Sequence, residues 1–367
     1  MIQRLYIHNF RCLENFEFLL KGIPSALLIG KNGSGKSTIS YALEVLQRIG
    51  RNVSRVGELI EASDFTRENT DIPIRFEIEV VINGNLYKYV LVLELPESFK
   101  EPRISTEQLL VDGKQIYSRQ EAQVVLYKDA QYSDASFSID WHLVALPIIQ
   151  KRSDKDPVYV FQSWLARIII LSPIPSTMNG RATGSTLQPN RDASNFAEWL
   201  TGLLLRYPAA YSNIDSYIKN IIPDFDSIES ELRFKDNRNI RVNFKKNKVF
   251  SIDFERLSDG EKCFFLSAVL IAINKHYEPL FCFWDEPDNY LSLSEVDHFV
   301  MELRRAFKNG GQLLVTSHNS QAIERFSGEN TFFLDRKSHL EPTLIKLLDE
   351  PRADNLITSL LLGDIAL

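Results

Sequence analysis

Gly30-Lys31-Asn32-Gly33-Ser34-Gly35-Lys36-Ser37-Thr38 stands directly behind the apolar run Ser25-Ala26-Leu27-Leu28-Ile29, and together they fit a phosphate-binding loop between a strand and a helix. The glycines let the backbone curl so that consecutive N–H groups point inward at a phosphate. Lys36 then reaches the outer phosphates, and the Ser37 hydroxyl ligates Mg²⁺. Behind the loop, Ala42, Leu43, Val45, Leu46 and Ile49 recur with helical spacing. The stretch predicts a nucleoside triphosphate site built on Gly30, Asn32, Gly33, Ser34, Gly35, Lys36, Ser37 and Thr38.

Three later segments narrow the kind of nucleotide protein. Leu257-Ser258-Asp259-Gly260-Glu261-Lys262 precedes a continuous apolar run from Cys263 to Ile273, a loop and helix start with Ser258 or Asp259 as the cap. Pro279-Leu280-Phe281-Cys282-Phe283-Trp284 reads as a buried strand that ends in the adjacent carboxylates Asp285 and Glu286, followed by Pro287-Asp288. Gln312-Leu313-Leu314-Val315-Thr316-Ser317-His318-Asn319 is a further strand ending in a histidine. Each segment alone is modest; their order is informative.

In that order the chain resembles the ABC-type ATPases, and within them the RecF/SMC-like branch with its OLD-family and AbiEii-like stand-alone members. The resemblance rests on the phosphate loop, the signature at Leu257 to Glu261, the Walker B strand ending at Asp285-Glu286, the D-loop Pro287-Asp288-Asn289 and the switch histidine His318. The opening Leu5-Tyr6-Ile7-His8-Asn9-Phe10-Arg11-Cys12-Leu13 is also similar to that branch. It covers roughly the first and last hundred residues, the middle only loosely. The fold it implies is α/β: a P-loop NTPase of ABC type with a mixed sheet core, an antiparallel β subdomain and a helical lobe carrying the signature. Residues 1–119, 120–240 and 241–367 are the expected divisions.

The resemblance also implies roles. Ser37 and Asp285 would hold Mg²⁺, while Lys36 balances charge on the β- and γ-phosphates of ATP. Glu286 would orient or deprotonate the attacking water, and His318 would contact the γ-phosphate. Ser258 and Gly260, at a helix N-terminus, would close on the γ-phosphate held by a second copy, which implies a homodimer with ATP sandwiched between subunits. Asp288 would join the two sites, and Arg11 would approach the nucleotide. The glutamine that links the lobes in this family is unassigned among Gln120, Gln123, Gln131, Gln150 and Gln162.

Composition agrees with a globular cytoplasmic protein. The 367 residues are 44% hydrophobic, enough for a large core, and the formal charge of −6 gives no global attraction to nucleic acid or anionic lipid. No apolar run reaches membrane-spanning length, and Met1-Ile2-Gln3-Arg4-Leu5 lacks a signal-peptide core. Cys12, Cys263 and Cys282 are scattered, against a disulfide framework or zinc site.

Along the chain, Ile74 to Ile82 and Leu86 to Leu95 are strand-like runs joined through Asn83-Gly84, and Asp112-Gly113 marks a second hairpin. Helices are expected at Asn195 to Leu205 and Tyr211 to Ile222, a loop from Ser172 to Asn190, and a hairpin from Arg241 to Phe244 and Lys248 to Ile252. The interval between Ser37 and Ser258 holds no sustained heptads, unlike the long arms of SMC-type members. After His318 a strand at Thr331 to Leu334 and a helix at Asn355 to Leu362 are expected, and the nuclease of OLD-type members is expected to be missing.

Arg233, Lys235, Arg238, Arg241, Lys245, Lys246 and Lys248, interleaved with Phe234 and Phe244, form a basic cluster that could contact DNA or RNA or be a solvated face. Asp224-Phe225-Asp226 reads as a turn after Pro223, not a metal site. Two functions are implied: an ATP-driven switch controlling an effector partner such as a nuclease or toxin, in phage defence or a toxin–antitoxin module, and a RecF-like DNA-repair clamp.

Overall fold

Five strands, each apolar along its length, lie parallel in the order Ile169–Leu171, Phe281–Trp284, Gln312–Thr316, Ser25–Ile29 and Thr331–Asp335, with Leu344–Leu347 antiparallel at one edge. Such runs are apolar throughout because both faces of a parallel sheet are covered. Alternate residues supply two cores. Ala26, Leu28, Phe281, Phe283, Leu314, Phe332 and Leu334 face one, and Leu27, Ile29, Cys282, Trp284, Leu313, Val315 and Phe333 face the other. The computed structural model describes residues 1–348 apart from 98, 130–131, 152, 233–236, 246–247 and 327–329, so the helix expected at Asn355 to Leu362 lies outside the described residues.

The first core is closed by helices Lys36–Gly50 and Pro157–Ala166 and by an eight-stranded antiparallel sheet. That sheet runs Phe16–Leu19, Ile2–His8, Ile74–Ile82, Asn85–Glu94, Arg103–Val111, Lys114–Gln120, Gln123–Asp129, Tyr132–Ser138. Asn83 (φ 51°) and Gly84 (φ 85°), then Asp112 (φ 48°) and Gly113 (φ 77°), make two-residue turns with both residues left-handed. Those turns match strand twist, so the hairpins were legible in the sequence. The sheet continues past the boundary expected at 119/120, because Gln123–Asp129 and Tyr132–Ser138 alternate too weakly to register as strands.

The second core is covered by helices Phe196–Arg206, Ala210–Ile221, Asp259–His276 and Leu293–Lys308. Helix Asp259–His276 is apolar around most of its circumference and is correspondingly buried. A small sheet of Phe225–Leu232, Arg238–Lys245 and Val249–Asp253, with Arg181–Ala182 beside Arg238, completes this half. Asp226 therefore lies in a strand, past the turn expected at Asp224.

Gln312 ties the sheets together. Its amide nitrogen donates to the carbonyls of Ile2 (3.1 Å), Ile23 (3.0 Å) and Leu20 (3.3 Å), and its side-chain oxygen accepts from Ile2 N–H at 2.7 Å. Inside the antiparallel sheet, Glu107 and Arg119 are fully buried. One Glu107 oxygen accepts from Tyr89, Tyr117 and the Leu146 N–H, the other from the Ala145 N–H, while Arg119 donates to the carbonyls of Glu121, Asp140 and Leu143. The network clamps the segment after the last strand onto the sheet. Breaking a fully bonded buried group leaves its partners orphaned. Glu107→Gln turns an amide donor toward a backbone donor, and its expected cost is about 2–4 kcal/mol, read by urea denaturation; an unchanged midpoint would show the network to be dispensable.

Candidate nucleotide site

The phosphate loop is fixed by space as much as by conformation. A Cβ on Gly30 would lie 2.3 Å from the Leu334 carbonyl oxygen, and one on Gly35, at φ +103°, would lie 2.7 Å from the Thr343 hydroxyl. Gly35 caps helix Lys36–Gly50 without a side chain, so the first-turn N–H groups keep their capacity for an anion. The Ser34 hydroxyl is buried with no partner among the described residues. Lys36, 7% exposed, donates to the carbonyls of Gly30 (2.7 Å) and Lys31 (3.2 Å), with no ion pair among the described residues. Burial lowers its pKa, against the pull of Glu286 and Asp285. An uncapped helix start, an orphaned hydroxyl and a cation without a carboxylate fit a triphosphate.

Asp285 and Glu286 stand at the end of strand Phe281–Trp284, near the loop, because the intervening strand Gln312–Thr316 pairs parallel with both it and Ser25–Ile29. The Ser37 hydroxyl lies 3.2 Å from Asp285 Oδ2. Thr316, at the end of the neighbouring strand, donates to Asp285 Oδ1 at 2.6 Å and accepts from the Glu286 N–H at 2.9 Å. Thr316 belongs to no motif of its own; its signal in the sequence is a hydroxyl that closes the apolar run Leu313–Val315 two residues before His318. Ser37 and Asp285 alone do not make a cage, and no cluster of three or more His, Cys, Asp or Glu fit for a metal occurs among the described residues. Mg²⁺ takes few protein oxygens and completes its shell with phosphate and water, so this pair suits it.

Glu286 has φ 49°, a left-handed value that costs a non-glycine residue roughly 1–3 kcal/mol. Its carboxylate accepts from the Asn289 amide and lies 3.3 Å from His318 Nε2. Burial lowers the His318 pKa, helped by the Lys36 charge and opposed by Glu286 and Asp285. A neutral imidazole can donate from Nε2 to Glu286. Lys36, Ser37, Asp285, Glu286 and His318 are thus brought together from three separate segments.

Ser258 and Gly260 are placed apart. Ser258 is exposed and caps helix Asp259–His276: its hydroxyl accepts from the Glu261 N–H (3.3 Å), and Glu261 accepts from the Ser258 N–H (2.8 Å). Among the described residues no hydrogen bond or ion pair joins them to the phosphate loop. Asp288 faces inward, buried, accepting from the Ser317 hydroxyl at 2.8 Å, and burial raises its pKa. Arg11 pairs with Asp64 at 2.8 Å and lies 4.1 Å from the Tyr41 ring centre, one helical turn beyond Ser37. Of the glutamine candidates, Gln120, Gln123, Gln150 and Gln162 make no described bond to a site residue, and Gln131 lies outside the described residues.

In the basic cluster, Arg241 pairs with Asp253 at 3.4 Å, whereas Lys245 and Lys248 are exposed beside Phe250; Arg233, Phe234, Lys235 and Lys246 lie outside the described residues. The three cysteines are free and buried, and no described helix is long and apolar enough to cross a membrane.

The family model described as RecF/RecN/SMC N terminal domain matches residues 1–338. Among solved structures, an Smc head bound to the C-winged helix domain of ScpA is similar at 16% identity and TM-score 0.55, covering 95% of this chain and 98% of that one. The SMC head domain from Thermotoga maritima is similar at 14% identity and TM-score 0.50, covering 95% and 99%. The Smc head domain with an extended coiled coil from Pyrococcus furiosus, bound to the C-terminal domain of ScpA, is similar at 13% identity and TM-score 0.50, covering 99% of each chain. No curated protein sequence matches.

The lowered His318 pKa sets a direction for titration. The unfolded chain binds that proton more tightly, so this residue's share of stability is complete above pH 6.5 and is lost as pH falls toward the folded value. NMR of the imidazole should give a midpoint below 6.5 that is absent in His318→Gln; a midpoint at or above 6.5 would contradict the placement beside Lys36.

Proposed function

We propose, since this chain belongs to the RecF/RecN/SMC N-terminal-domain family of ABC-type ATPases, that it binds ATP with Mg²⁺, hydrolyses it, and closes into a homodimer around it. The observation that carries this reading is the division of the site: loop, carboxylates and histidine converge, while Ser258 stands exposed at a helix start with no phosphate loop of its own to serve. A second copy would bring its Ser258 and the free N–H groups behind it to the γ-phosphate.

Phosphoryl transfer to water needs alignment and charge compensation more than covalent participation. Ser37 and Asp285 would hold Mg²⁺, which would supply charge neutralisation to the triphosphate. Lys36 exchanges its two carbonyl acceptors for phosphate oxygens. Glu286, its peptide fixed by Thr316, would aim its carboxylate at the attacking water, and His318 would contact the γ-phosphate from the neighbouring strand end. Arg11 would need to leave Asp64 to reach the nucleotide, and Asp288 would need to turn outward to bridge subunits.

The cycle controls a protein partner in the cytoplasm, an effector such as a nuclease or toxin in phage defence or a toxin–antitoxin module. The similar Smc heads bound to ScpA domains support a protein partner in general. The exposed Lys245 and Lys248 beside Phe250 favour a second reading, a RecF-like clamp on DNA.

Glu286→Gln should retain nucleotide binding and lower phosphate release by about 10²- to 10⁴-fold; undiminished release would remove Glu286 from the mechanism. Sedimentation of that variant should show a dimer with ATP and a monomer without, and a monomer in both would refute closure. Lys245→Glu with Lys248→Glu leaves salt-dependent DNA retention unchanged if the chain serves an effector and lowers it at least tenfold if it clamps DNA.

A further inference from the structure

The segment from Ser172 to Asp192 forms a strap that touches both halves of the site. It leaves edge strand Ile169–Leu171, where the Leu171 carbonyl accepts from the Asp285 N–H at 2.7 Å. Its two ends are laced together beside Asp285: the Ser172 N–H bonds to the Arg191 carbonyl at 2.7 Å and the Ile174 N–H to the Asp192 carbonyl at 3.0 Å. The strap therefore starts and returns at the carboxylate expected to carry Mg²⁺.

Arg191 binds the phosphate-loop helix through three residues on one face. Its guanidinium pairs with Glu44 at 2.8 Å, donates to the Ser40 hydroxyl at 2.7 Å, and lies 4.4 Å from the Tyr41 ring centre, where Arg11 also stacks. Ser40 in turn donates to the Ser37 carbonyl at 2.8 Å. Only a planar guanidinium meets the carboxylate, the hydroxyl and the ring together. At the strap's far side, the Pro175 carbonyl accepts from Lys262 Nζ at 2.9 Å. Lys262 is 4% exposed and follows Glu261, the residue that holds Ser258. The strap is also pressed on the helical half: a Cβ on Gly202 would lie 2.1 Å from the Thr186 carbonyl oxygen.

We propose that Arg191 is the positioning residue that couples occupancy of the phosphate loop to the signature serine, a task for which no glutamine is placed among the described residues. The route is continuous: Ser37, Ser40, Arg191, the strap base, Pro175, Lys262, Ser258. Nucleotide that draws in Ser37 shifts the first turns of its helix, Arg191 carries that shift into the strap, and Lys262 delivers it to the start of the signature helix. Arg191 itself does not touch nucleotide. The inference rests on the ATP-binding reading above.

Arg191→Ala and Arg191→Lys test it, with fluorescent-ATP binding, steady-state phosphate release and backbone amide exchange. In the native chain, ATP should slow exchange at Gly30–Thr38 and also alter it across Ser172–Asp192 and the first turn after Ser258. Arg191→Ala should keep the loop protection and bind ATP within about threefold, yet lose the distal response and at least tenfold in turnover at saturating ATP. Arg191→Lys, which keeps the charge for Glu44 without the fork, should recover part of both. A distal response intact in Arg191→Ala, or a defect confined to KM, would overturn the proposal. Absence of loop protection in the native chain would instead sink the nucleotide reading and this inference with it.

Discussion

One hydroxyl sets the spacing on which the site depends. Thr316 bonds to the side chain of Asp285 and to the peptide of Glu286, so a single side chain fixes both the Asp285 carboxylate and the backbone of its neighbour. It can do so because Trp284 and Val315 are in register, which puts the ends of two parallel strands side by side. The left-handed peptide at Glu286 is held against its own preference by that bond. Strand register, the coarsest property of the sheet, is converted here into the position of individual oxygen atoms.

The two faces of the parallel sheet divide the labour. One face packs against the phosphate-loop helix and the antiparallel sheet, forming a stiff platform for the nucleotide. The other packs against four helices, one of which begins at the exposed Ser258. Because alternate residues of the same strands belong to different cores, the halves meet along the strands themselves and at the strand ends, where the carboxylates and His318 sit.

What the sequence disclosed follows from the range of the interactions involved. The phosphate loop, the Asn83-Gly84 and Asp112-Gly113 turns and the Ser258 cap are fixed by residues a few positions apart, and their chemistry is visible in the letters. The buried strands were legible as apolar runs. Strands Gln123–Asp129 and Tyr132–Ser138 were not, since they extend a sheet whose register is set elsewhere. Helix Leu293–Lys308 carried a readable capping box, Ser292 with Glu295, that the reading overlooked. Arg191 was beyond reach, because its partners Ser40 and Glu44 are adjacent only after folding.

Gln312 and Thr316 are the first and last residues of one strand, about 13 Å apart. The glutamine grips the opening strand and the bend ahead of the phosphate loop, while the threonine grips the carboxylates. That strand acts as a tie rod between the outer platform and the paired carboxylates, and slack at its buried far end would loosen Asp285 and Glu286 without emptying either core.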